Sequence, residues 1–290
     1  AMPQTDSSFN CPDLPTSLDA SQLEKQVNSL AESLEKSPSD LCAGNHFREA
    51  VRYLGLREGQ FALKVQSFPP DLAAIAKNPD SAPTDEANSS RISPDAQQPA
   101  KLFRAFTATA SGNTPESELQ LGLSYVDLMI RQGGREHKAQ LSSRSIEALS
   151  SALDRKPYLI AALYARGLNY LYWPEIAGKL PLAVSDLKTC IALSNLPALK
   201  EHPPLVIAEA YRALGDSYVK LADSTMDDRE QQALLTAARN WWQQGKARFG
   251  DFRGFDERLN TPPRDLPKYI DSVRGLETYI NTDLDLLWKN

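Results

Sequence analysis

The sequence predicts an all-α protein: a solenoid or bundle of helical hairpins with additional helices at both ends. Three observations point there. Apolar residues recur at three- and four-residue steps over most of the chain, which is the period of a helix with one buried face. Sustained period-two alternation and Asn-Gly hairpin signals are both missing, which removes the usual marks of strands. A short glycine–tyrosine pattern returns three times in order, the kind of self-similarity that decides helical folds.

Composition bounds the possibilities before any motif is read. With 41% hydrophobic and 24% charged residues over 290 positions, the chain has the material for a packed core and is not expected to be disordered as a whole. The 32 basic and 37 acidic residues leave a mild net charge of −5. No Lys/Arg stripe of the kind that grips a phosphate backbone is visible, so neither nucleic acid nor an anionic membrane is the expected partner. The longest apolar run, Tyr158–Ala165, is closed by Arg166, and a membrane-spanning helix needs about 20 apolar residues.

Taken in order, residues 1–16 are polar with three prolines and read as a disordered lead. Residues 17–77 read as N-terminal helices. Leu18, Leu23, Val27, Leu30 and Leu34 mark the first, Ser39-Asp40 offers an N-cap for Leu41–Leu54, and Leu63, Val65 and Leu72 suggest further short ones. Residues 78–99 carry four prolines among Asn, Asp, Ser and Ala, and read as a loop or linker. Helical patterning then fills 100–260, where the repeats lie. A final amphipathic stretch, Leu266–Trp288, falls within a C-terminal segment of 261–290. All of this is expected to form one compact domain.

The repeat begins with Leu121-Gly122-Leu123-Ser124-Tyr125, returns as Arg166-Gly167-Leu168-Asn169-Tyr170, and again as Leu214-Gly215-Asp216-Ser217-Tyr218. In each, Gly stands three residues before Tyr on one helix face, and a second helix follows. Its small, large and small residues are Ser145, Leu149 and Ala152, then Ala183, Leu187 and Cys190, then Ala238, Trp242 and Gly245. Pro157, Pro197 and Gly250 close the three second helices. A glycine inside a helix costs about 1 kcal/mol against alanine, so its recurrence implies a place where a backbone must come close.

This pattern resembles the tetratricopeptide repeat family: aromatic-x-x-Leu-Gly-x-x-Tyr on a first helix, Ala-x-x-x-aromatic-x-x-Ala on a second, then Pro. The resemblance covers about residues 115–250. The gap from Tyr to the first small residue is 20, 13 and 20, where the family pattern has nine. Either the helices are extended, or the turns around Gln132-Gly133-Gly134 and Asp223–Arg229 are enlarged. Lengthened repeats among extra helices are also similar to the periplasmic T-components of tripartite transporters, and more faintly to the helical envelope protein of bacterial sterol and lipid exporters.

That resemblance implies a concave face built from the first helices. Its positions are Leu119, Leu123, Val126 and Asp127, then Ala161, Tyr164, Leu168, Leu171 and Tyr172, then Arg212, Asp216, Val219 and Lys220. The first two sets are aliphatic and aromatic, and soluble monomers seldom expose so large an apolar patch. Three outcomes are open. The face is filled by the chain's own helices, or it stays open as a cavity for an apolar small molecule or lipid, or it receives a partner's helix. Trp173 is read either as core or as a rim residue at the pocket mouth. Adjacent Trp241 and Trp242 cannot share a helix face, so one is expected inside and the other as a contact.

The functional expectation is a non-catalytic envelope binding protein of a transport system, holding its apolar ligand against Leu119, Leu123, Val126, Tyr164, Leu168, Leu171, Tyr172 and Trp173. The alternative is a protein-interaction scaffold contacting a transporter or other envelope protein through surface residues such as Arg212, Lys220, Trp241 and Trp242. Nucleotide-binding, nucleophile-elbow and zincin motifs are missing, and no catalytic residue, cofactor or metal is expected. His46, His137 and His202 read as isolated surface or loop residues. The start Ala1-Met2-Pro3 suggests a mature segment, periplasmic or outer-membrane-associated, with a signal or lipid anchor removed. Cys11 and Cys42 flank the first helix and are either bridged, if the protein is exported, or free thiols.

Overall fold

The computed structural model describes residues 11, 19–37, 39–58, 114–131, 135–250, 252 and 254–277. Of these, 83% are helical and none is in a strand, which establishes the all-α class. The helices are α1 Ala20–Lys36, α2 Leu41–Glu58, α3 Pro115–Arg131, α4 Arg135–Arg155, α5 Ile160–Tyr172, α6 Leu180–Ser194, α7 Pro197–Lys200, α8 Val206–Ser224, α9 Asp228–Phe249, α10 Phe255–Asn260 and α11 Leu266–Glu277. No described helix is long and apolar enough to cross a membrane. The expected lead, apart from Cys11, the helices beyond Glu58, the 78–99 loop and the Gln132-Gly133-Gly134 turn all lie outside the described residues.

The chain divides into two compact units, Asn10–Arg155 and Lys156–Asn290. The division falls between the first glycine–tyrosine segment and the second.

In the N-terminal unit the helix starts follow local capping chemistry. Asp19 accepts from the Gln22 amide while Gln22 answers to the Asp19 amide, a capping box that fixes the start of α1. Asp40, the expected cap of α2, accepts from the Ala43 amide at 3.0 Å. Thr114 and Ser117 exchange the same kind of reciprocal bonds before α3. Consecutive helices pack in order, α1 on α2, α2 on α3 and α3 on α4. Leu23, Val27 and Leu34 of α1 and Phe47 of α2 are buried. Gln120 of α3 donates to the Asp40 carbonyl at 2.8 Å and lies over Gly44, where a Cβ would overlap the amide.

In the C-terminal unit α5 pairs with α6, α8 pairs with α9, and α6 packs on α8. Arg166 forks onto Asp186 through two 2.8 Å bonds, joining the first pair. Arg248 at the end of α9 reaches the Ser194 carbonyl at the end of α6. Asp227 caps α9 through the Arg229 and Glu230 amides, and Gly250, at φ 71°, ends it in a conformation that favours glycine. Phe255 of α10 is fully buried against Gly245 of α9.

For the α8/α9 pair these lengths decide between extended helices and an enlarged turn. The pairs with the long gaps, α3/α4 and α8/α9, measure 17 and 21 and then 19 and 22 residues, while α5/α6 measure 13 and 15. Only Thr225-Met226-Asp227 separates α8 from α9, so there the excess went into the helices.

The glycines behave as one set, though differently from the expected backbone approach. In each pair the glycine of the first helix leaves a notch that the large residue of the second helix fills. Leu149 sits at Gly122, Leu187 at Gly167 and Trp242 at Gly215. Side chain against backbone, rather than backbone against backbone, sets the spacing. In the first pair the Ser145 hydroxyl donates to the Gly122 carbonyl at 2.7 Å; in the third the Trp242 indole donates to the Arg212 carbonyl at 3.1 Å.

Candidate functional site

The residues expected to line an inner apolar face lie inside the protein. Leu119 and Leu123 are fully buried in the N-terminal unit, and Val126 beside them is half-buried. In the C-terminal unit Tyr164, Leu168 and Leu171 are buried, with Tyr172 and Trp173 half-buried at the end of α5. Lys179 stands over the Trp173 ring, 5.9 Å from its centre.

The polar third of that face is also inward. Arg212, expected at the surface, is 2% exposed and pairs with Glu209 one turn earlier. Tyr164 is hydrogen-bonded to the same guanidinium. Burial, reinforced by the Glu209 carboxylate and opposed by Arg212, pushes the Tyr164 phenol well above its usual range. It therefore holds its proton at neutral pH, and the cluster joins α5 to α8. Lys220 spends its ammonium on the Leu171 carbonyl at 2.9 Å. Trp242 is the inner tryptophan of its pair; Trp241 is half-buried with its ring 6.0 Å from that of Tyr211.

Among the described residues Tyr158, Ile176, Leu182 and Met226 are the exposed large apolar side chains, and two of them stand almost wholly in solvent. Ile176, in the 3-10 turn Glu175–Ala177 between α5 and α6, is 97% exposed, and Met226, between α8 and α9, is 100% exposed. The 3-10 turn packs on α8, and the Lys220–Leu171 bond joins the ends of α5 and α8, so both residues cap hairpins at one end of the C-terminal unit.

A second constellation lies on α2 and against it. Cys42 and His46 are four apart, which puts them on one face of α2 one turn from each other. Cys11 is bridged to Cys42, with 5.4 Å between their Cα atoms, so the alternative of free thiols at these positions is set aside. His46 therefore is not isolated. Its Nε2 lies 3.3 Å from the Cys11 sulfur and its Nδ1 3.9 Å from that of Cys42. All three residues are half-buried, with their ligand atoms within 4.8 Å of one another.

Cys190 has a different environment. It is fully buried in α6, its thiol facing the Ile160 carbonyl at 3.7 Å, and burial, with the nearby Asp186 charge, pushes the thiol's pKa up. Alkylation of the native protein should therefore label no cysteine. After mild reduction it should label Cys11 and Cys42 only, as read by peptide mass spectrometry. Labelling of Cys190 without denaturant would contradict this packing.

No family model matches the sequence, and no curated protein or solved structure matches it.

Proposed function

We propose that the chain is a non-catalytic helical-repeat scaffold that binds another protein, with its inner face filled by its own helices. The observation that supports this reading is the burial of Leu119, Leu123, Tyr164, Leu168 and Leu171 together with the internal pairing of Arg212. A carrier of an apolar molecule would have to draw these side chains out of the core, losing about 1.5–3 kcal/mol for each one exposed without a ligand. The contact surface in this reading is the loop end bearing Ile176 and Met226. Large apolar groups presented singly at hairpin tips cost little to keep in water and gain on burial by a partner. The Cys11–Cys42 bridge supports an oxidising, exported setting, in which an envelope transport or assembly complex is the fitting partner.

Two measurements test it. Organic extraction of the purified protein followed by mass spectrometry should return no stoichiometric lipid, and added fatty acid or sterol should not bind. Photo-crosslinkers at 176 and 226 should capture one and the same protein in the native host, and the Ile176→Glu/Met226→Glu double variant should lose that adduct while keeping its helicity. A bound lipid at one per chain would overturn the reading in favour of the carrier.

A further inference from the structure

We propose that Cys11, Cys42 and His46 form a redox-gated zinc site: a disulfide when oxidised, and a Cys2His zinc centre when reduced. The proposal does not depend on the scaffold reading above.

Three features carry it. The first is the donor set, two sulfurs and an imidazole, which is the preferred company of zinc rather than of a hard cation such as calcium or magnesium. The second is placement. Cys42 and His46 share one helical face, so α2 itself fixes two ligands relative to each other, and Cys11 is held against both. The third is distance. Zinc–sulfur and zinc–nitrogen bonds of about 2.3 and 2.0–2.1 Å at tetrahedral angles put sulfur and nitrogen about 3.6 Å apart. Here Nε2 lies 3.3 Å from the Cys11 sulfur and Nδ1 3.9 Å from that of Cys42, so one zinc, which takes a single ring nitrogen, requires the imidazole to turn; one ring nitrogen and both sulfurs already lie within 4.8 Å of one another. Rotation of the imidazole and of the freed thiols about their own side-chain bonds is the adjustment required. Half-burial of all three residues leaves room for a water as fourth ligand.

The chemistry balances as follows. A dithiol reductant gives two electrons and two protons to the Cys11–Cys42 bond and becomes a disulfide itself, while Cys11 and Cys42 become thiols. Zinc then displaces both thiol protons and binds the two thiolates together with neutral His46. Because the same sulfurs serve both cross-links, the disulfide and the metal exclude each other. Either state ties the segment at Cys11 to α2.

The test uses the full chain, oxidised or reduced with a phosphine that is then removed under argon. Each form is titrated with zinc against a chromophoric chelator, and with cobalt(II) followed by absorption. The reduced protein should bind one zinc, and its cobalt form should show the intense visible bands of a tetrahedral site with sulfur-to-cobalt charge transfer. The oxidised protein should show neither. Cys42→Ser should abolish binding, and His46→Ala should weaken it at least about tenfold, since loss of even an outer support commonly costs that much. His137→Ala and His202→Ala should leave it unchanged, with helicity by circular dichroism confirming that every variant is folded. Zinc affinity that is equal in the two redox forms, or that survives His46→Ala, overturns the proposal.

Discussion

Arg258→Ala is expected to lower the unfolding free energy of the C-terminal unit by about 3–5 kcal/mol, because it strands a buried carboxylate. Arg258 is 0% exposed, and its guanidinium forks onto Asp216 through bonds of 2.7 and 2.9 Å, tying α10 to α8. It also donates to the Gly254 carbonyl and lies 5.7 Å from the centre of the Tyr269 ring. Removing it therefore cancels a charge pair and a ring contact, and leaves Asp216 without its guanidinium. The converse double replacement, Arg258→Met with Asp216→Leu, removes both charges and should recover most of the loss, since the desolvation penalty vanishes with them. Arg264, paired at 3.7 Å with Asp265 in the open, sets the contrast: Arg264→Ala should change stability by under about 1 kcal/mol. Urea unfolding followed by tryptophan fluorescence suits the comparison, since Trp173, Trp241 and Trp242 all lie in the C-terminal unit. An Arg258→Ala loss as small as that of Arg264→Ala would mean that the pair contributes nothing as a buried bridge.

That pair also shows where sequence reading ran out. Asp216 could be placed on a helix face from its position next to Gly215, but Arg258 lies 42 residues further on, across a break at Gly250 and Gly254. No local pattern joins two residues whose partnership arises from tertiary packing. The all-α class was legible because helical periodicity is local. The recurrence of the glycines was legible, but it pointed to a close backbone, whereas a large side chain of the next helix fills each notch. Helix lengths stayed open, since an 11-residue excess fits three extra turns or a longer loop equally well, and only the α8–α9 turn decides it. The inner face shows the same limit. Leu, Val and Tyr at those positions describe an apolar surface without saying what covers it. Arg212, expected as a surface contact, lies inside because Glu209 one turn earlier pairs with its charge. The Cys42–His46 spacing was readable in the sequence, and Cys11 completes it only in three dimensions.

The glycine notches supply the sharpest quantitative test, because the three differ in how much room they leave. In a helix interior, Gly→Ala gains about 1 kcal/mol of backbone preference, against which overpacking of a full core costs about 1–3 kcal/mol or more. At Gly167 a new methyl would sit 3.1 Å from Leu187, a gap that a small side-chain shift relieves, so Gly167→Ala should be close to neutral. At Gly122 it would meet Leu149 at 2.6 Å and should cost stability. At Gly215 it would lie 2.1 Å from Nε1 of a fully buried Trp242, whose indole is also held by the Arg212 carbonyl. The ring has nowhere to go, so Gly215→Ala should be the most damaging, with a net loss of about 2 kcal/mol or more. Trp242→Ala alone should cost about 3–5 kcal/mol through the cavity it leaves. Combining it with Gly215→Ala should then add little, because the methyl now enters vacant space, giving a coupling of roughly 1–3 kcal/mol of favourable sign. Additive losses in the double variant, or Gly167→Ala proving worse than Gly215→Ala, would show that the notches do not control the helix pairs. The predicted order instead follows from one rule: a repeat written with glycine on one helix tolerates a side chain there only as far as its partner on the next helix can yield.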